Sequence, residues 1–131
     1  MPDDLLLSLR NADFSGLEKF NIKAVFDDVL AAIAAKAASR LDTLATFVQV
    51  QTEKITLYSA LIVKGKLDGS LVGDELAYRL ERLKLIIRGF IDVVDTLLVE
   101  LVAAVWNAIV GVVWKAIGAA IKIDLPIPTM K

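Results

Sequence analysis

Apolar positions between residues 22 and 63 recur in alternating steps of four and three, through Leu30, Ala34, Ala37, Leu41, Leu44, Val48, Gln51, Ile55, Tyr58 and Ile62, with Gln51 the one polar member. A seam of that period marks one long α-helix with a heptad-like contact face. No proline or glycine interrupts it, and Asn21 is placed to cap its start. Ile33, Phe47, Val50, Leu57 and Leu61 lie off the seam, so the apolar surface is wider than one partner helix covers. Three glycines within Lys64–Gly73 then break the pattern, with Gly65 suited to a helix C-terminus.

A second helical pattern runs from about Asp74 to Ile123. Glu81, Lys84, Arg88, Asp92 and Asp95 form one narrow polar stripe, and Leu80, Leu83, Ile87, Phe90, Ile91, Val94 and Leu98 fill much of the rest. Beyond Thr96 the polar residues thin to Glu100, Asn107, Lys115 and Lys122, spaced so that they stay on one drifting side. Pro126 and Pro128 lie in a tail, 124–131, that cannot continue the helix. Residues 1–20 read as an adapter: Pro2, Asp3 and Asp4 open a short helix carrying Leu5, Leu6, Leu7 and Leu9, and Ser15 with Glu18 fits a capping box.

The expected fold is therefore all-α: a short N-terminal adapter helix, then a long two-helix hairpin over 21–131, with helices at about 22–63 and 74–123. Its rods would be roughly 60 and 75 Å long. Such a hairpin buries one seam and leaves other faces wet, which predicts a homo-oligomer of many copies. Leu41, Leu44, Val48 and Ile55 on the first rod, with Ala104, Trp106, Gly111, Trp114 and Gly118 on the second, are the expected subunit-packing positions. Ala104, Gly111 and Gly118 are seven apart and would form a close-contact groove.

Composition sharpens this. Hydrophobic residues make up 56% of the chain, and seven glycines raise the apolar share to roughly 60%, against about 45–50% in soluble domains. Mean hydropathy is +0.63. The formal charge of −1 argues against a protein devoted to coating phosphates. With no cysteine and no histidine, disulfides and Cys/His zinc sites are excluded. The acidic N-terminus lacks the pattern of a secretory signal.

Candidate chemistry is sparse. Asp27 with Asp28, and Asp92 with Asp95, are close carboxylate pairs, but no histidine or third acid joins them as a metal site. Serines 8, 15, 39, 59 and 70 lack a histidine base, and no nucleophile elbow or phosphate loop is present. No enzyme activity, cofactor, metal or small-molecule substrate is expected. Residues 53–88 hold seven bases and five acids, a local excess of +2. Lys84 and Arg88 share a stripe with Glu81 and Asp92 and are expected to pair within the helix. Lys64, Lys66, Arg79 and Arg82 remain as candidates for nucleic-acid or lipid-headgroup contact. Glu100 and Lys115 bracket 14 uncharged residues, about 21 Å of helix, which is short for a bilayer core.

The unbroken helix 22–63, the Lys64–Gly73 turn and the run LLVELVAAVWNAIVGVVWKAIGAAI from Leu97 to Ile121 together resemble the small coat proteins of archaeal spindle-shaped and filamentous viruses. The resemblance is one of architecture, and it implies a self-assembling capsid subunit located in a virion. Two alternatives stand beside it. One is a membrane-inserting phage tail, ejection or holin-like pore protein, with Glu100, Asn107, Lys115 and Lys122 lining its interior and lipid as its partner. The other is a soluble helical scaffold or adapter dimer.

Overall fold

A computed structural model describes residues 4–130. Pro2 and Asp3, read above as part of the first turn, and Lys131 of the tail lie outside the described residues. Among the described residues there are five α-helices: α1 (Asp4–Arg10), α2 (Ile22–Ala37), α3 (Ala45–Leu67), α4 (Glu75–Leu98) and α5 (Val102–Ile121). The all-α class, the short N-terminal helix and two long helical stretches either side of a glycine turn agree with the sequence pattern.

Each long stretch is itself bent double, and here the expected pair of straight rods is corrected. Three-ten turns at Ala38–Leu44 and Val99–Leu101 divide the stretches, and each opens on a residue with positive φ, Ala38 at 52° and Val99 at 49°. The helix before each closes with the backbone N–H of that residue on the carbonyl four back, Ala34 and Asp95 respectively. Beyond the elbow the chain returns along its own path. Arg88 of α4 lies over the Trp106 ring of α5 at 5.6 Å, whereas 18 residues of straight helix would hold them about 27 Å apart. Likewise Leu30 and Ile33 of α2 line one cleft with Val48 and Gln49 of α3.

The result is a four-helix bundle in up-down-up-down order, ringed α2–α3–α4–α5, with α2 packed most extensively on α5. The α3–α5 diagonal also closes, while α2 and α4 sit at opposite corners. Helix α3 touches all four other helices. That crowding needs short side chains, and Thr52, Thr56, Ser59 and Ala60 of α3 are fully buried. Helix α2 contributes Val25, Val29, Ile33 and Ala37, spaced by four, and Asn21 caps it by accepting the Ala24 N–H at 3.0 Å. From α4 come Leu83, Ile87, Phe90, Ile91, Val94 and Leu98, and α5 adds both tryptophans.

Two local expectations are also revised. Ser15 and Glu18 start no helix, and Ser15 instead gives its N–H to the Asp13 carboxylate. Gly65 is not a terminator: α3 runs on to Leu67, and Leu71 folds over Gly65 so closely that a Cβ would meet it at 2.7 Å. The turn is made by Gly69 and Gly73, with φ of 82° and 60°. After α5 the chain turns at Lys122, φ 58°, and its tail doubles back along the bundle before the prolines are reached.

The folded chain exposes 7407 Å²; a monomeric protein of 14.2 kDa exposes about 6,800 Å². Bending double therefore hides almost as much surface within one chain as an ordinary globular monomer hides.

Candidate interaction surface

Most of the positions expected to pack subunits are spent inside the chain. Leu41, Val48, Ile55, Trp106 and Trp114 belong to its own core, all at most 7% exposed. Leu44 and Ala104 are half-buried. Gly118 lies under the chain's own tail, where a Cβ would stand 2.8 Å from the Ile123 carbonyl oxygen. Gly111 is half-buried, with nothing within 4 Å of a Cβ placed there. The expected groove over 104, 111 and 118 is thus partly filled by residues 123–130.

That tail is held by two side chains of α5. The Trp106 indole N–H donates to the Pro128 carbonyl at 2.7 Å. Asn107 grips Met130 from both sides, its amide donating to the carbonyl at 2.8 Å and its oxygen accepting the N–H at 2.6 Å. Asn107, read above as a pore-lining residue, is a clamp. Lys115 and Lys122 are exposed, and Glu100 stands in the elbow.

Two of the four candidate phosphate contacts come together. Lys64 and Arg79 line a cleft of about 170 Å³ at the α3–α4 turn, with Asp68 and Ser70. Both cations are already engaged. The Lys64 ammonium donates to the Ser15 carbonyl at 2.6 Å and lies 4.0 Å from Asp13, pinning the N-terminal loop to α3. Arg79 donates to the Tyr58 hydroxyl at 3.5 Å, and that hydrogen bond raises its pKa above the ordinary value. Asp68 is held below the usual carboxylate range by the N–H of Ser70, and Asp13 by that of Ser15. Half-buried Lys66 and exposed Arg82 do not line the cleft.

The carboxylate pairs are solvated. Asp27 and Asp28 are exposed, Asp27 pairing with Lys23 at 3.1 Å. Asp92 and Asp95 are exposed on α4, and no group of three acids converges among the described residues. The expected Lys84–Glu81 pair forms at 2.6 Å. Arg88 turns instead toward the Trp106 ring, a cation–π contact that ties α4 to α5. Ser59 donates its buried hydroxyl to the Ile55 carbonyl.

Missing from the sequence-based candidates is the outer face of α4. Tyr78 (52%), Leu85 (63%), Val93 (63%) and Leu97 (40%) are exposed there, and Val99 (63%) continues the line into the elbow. Spacings of 7 and 8 put Tyr78, Leu85 and Val93 on one side of the helix, away from the core set, with Leu97 at the edge of that side. A second apolar stripe was therefore present in the pattern, hidden among so many apolar positions. Comparison of the chain with protein-family models, with curated proteins and with solved structures finds no match.

Proposed function

We propose that this protein is a self-associating structural subunit, a helical bundle that works by packing against copies of itself. The observation that carries the reading is the row of exposed apolar side chains on α4, from Tyr78 through Leu85 and Val93 to Leu97. Isolated exposed apolar residues are ordinary, but an aligned row on one helix is a contact surface. A net charge of −1 adds little long-range repulsion between copies. A virion coat is the setting suggested by the sequence resemblance, and it rests on that resemblance alone. Sedimentation and negative-stain microscopy of the purified chain test the reading. Species that grow with concentration, or ordered shells or filaments, are expected. A monodisperse monomer up to millimolar concentration would end it.

A second reading, insertion into a membrane, is favoured by one observation. Helix α5 has 20 residues with Lys115 as its one charge, about 30 Å of helix and so the thickness of a bilayer core. The 75–121 stretch contains a window of mean hydropathy 2.1, one-third of it buried in the bundle. Insertion requires α5 to leave α2 and α3. Flotation with anionic vesicles, together with loss of amide protection in α2, would support it. Vesicles that neither bind the protein nor leak would remove it.

A further inference from the structure

The net charge of α4 changes sign along its length. Arg79, Arg82, Lys84 and Arg88 stand with Glu75 and Glu81 in its first part, four bases less two acids, or +2. Asp92 and Asp95, with Glu100 in the elbow beyond, make −3. Among the described residues no ion pair reaches any of these three acids.

Between the two parts sits Gly89. It lies in mid-helix, where glycine is less favourable than any residue but proline. It is exposed, its φ is not positive, and a Cβ built on it would have no atom within 4 Å. Nothing among the described residues requires a glycine there. Glycine's remaining use is to let another backbone come close. Leu85 and Val93 flank it on the same face, four residues to either side and each 63% exposed.

These features are self-complementary in one orientation. A twofold axis at Gly89 that lays a second α4 antiparallel across the first sets Leu85 opposite Val93 of the partner subunit. Glycine then meets glycine, and the basic part of each helix faces the acidic part of the other. A parallel copy would set like charge on like. We propose that copies of this chain associate through an antiparallel α4–α4 pair crossing at Gly89. The proposal rests on the self-association reading and gives it a face, a register and a symmetry. One helix of 24 residues offers a contact about 36 Å long, at the small end of specific interfaces, so the pair is a micromolar or weaker one.

Disulfide capture and sedimentation equilibrium test it, helped by the absence of native cysteine. Oxidised Leu85→Cys/Val93→Cys should give covalent dimers, while either single variant should not, because like positions are about 12 Å apart along the pair. Gly89→Leu and Leu85→Glu should each weaken association at least tenfold with unchanged circular dichroism. Gly89→Ala should weaken association while raising the melting temperature, an opposition that a merely structural glycine would not produce. Association that survives Gly89→Leu and Leu85→Glu overturns the α4 pair and leaves self-association through another face. Capture by the single Leu85→Cys variant as fast as by the double one overturns the antiparallel register. A wild-type chain that stays monomeric at every concentration overturns both the pair and the reading beneath it.

Discussion

Three hydroxyl side chains lie fully buried on α3, and they are not equivalent. Thr52 donates to the Val48 carbonyl and Ser59 to the Ile55 carbonyl, both at 2.7 Å, so each proton has a partner within the helix. The Thr56 oxygen is buried with no hydrogen-bond partner among the described residues. An unsatisfied buried polar group costs about 1–3 kcal/mol, and a methyl of similar size has no such cost. Thr56→Val should therefore stabilise the fold by about 1 kcal/mol in chemical denaturation. The control, Thr52→Val, exchanges a satisfied bond for a methyl and should fall within about 0.5 kcal/mol of wild type. No sequence pattern separates these neighbours, since threonines 52 and 56 sit one turn apart and differ only in what the folded helix offers them.

At the scale of elements, the two elbows decide the architecture. Both occur where the sequence contains neither glycine nor proline, at Ala38-Ser39-Arg40 and Val99-Glu100-Leu101, so a periodicity argument runs straight through them. What bends the chain is tertiary: the rods are apolar on several sides, and folding back buries those sides within one molecule. The cost is local. A β-branched residue at φ 49° is a true backbone outlier, worth about 1–3 kcal/mol of strain. Val99 is 63% exposed and loses little burial if removed. Glycine at this position relieves the strain and costs about 0.5–1 kcal/mol in chain entropy. The strain is the larger number, so Val99→Gly should raise the unfolding midpoint, with a net gain of about 1 kcal/mol. A fall in stability would mean that the elbow is not strained. By contrast the Asn21 cap and the core face of α4 were legible, because a capping residue and a 3.6-residue period are local signals, while on α2 the buried face runs through Val29 and Ile33, beside the expected seam through Leu30 and Ala34.

For the whole molecule, the balance of apolar to polar residues led toward many copies, yet one chain closes its own core. The sequence gives area but not topology, and a 46-residue helical stretch can satisfy its faces with itself as well as with a neighbour. The site suffered in the same way. Positions such as Ile55 and Trp114 were recognisable as contact residues, but whether the contact is internal depends on the elbows. The N-terminal helix is then fastened to this core by polar ties. Arg10 grips Glu53 of α3 through two hydrogen bonds, at 2.6 and 2.9 Å, which hold the Glu53 carboxyl below its ordinary value against the opposing effect of partial burial. A carboxylate with a lowered folded pKa contributes stability that is fully present above its unfolded value, near 4.5, and is lost as pH falls through the folded value. The pair is part-exposed, at 47% and 31%, so its contribution is small and weakened by salt. Glu53→Gln should flatten the acid limb of the stability curve below about pH 4.5 while leaving the neutral-pH fold intact. An unchanged acid limb would show that the Arg10–Glu53 pair adds nothing measurable to the packing of Leu5 and Leu9 against the core.

Both tryptophans of the chain, Trp106 and Trp114, are on α5. Ultraviolet-excited indole emission is therefore a private report on one helix and says little of the α2–α3 elbow. Trp106 also touches Arg88 at 5.6 Å, one residue before the glycine at the centre of the outer α4 face. The molecule thus carries a built-in optical probe of the α4–α5 contact, and unfolding followed by fluorescence can watch that contact open without any label.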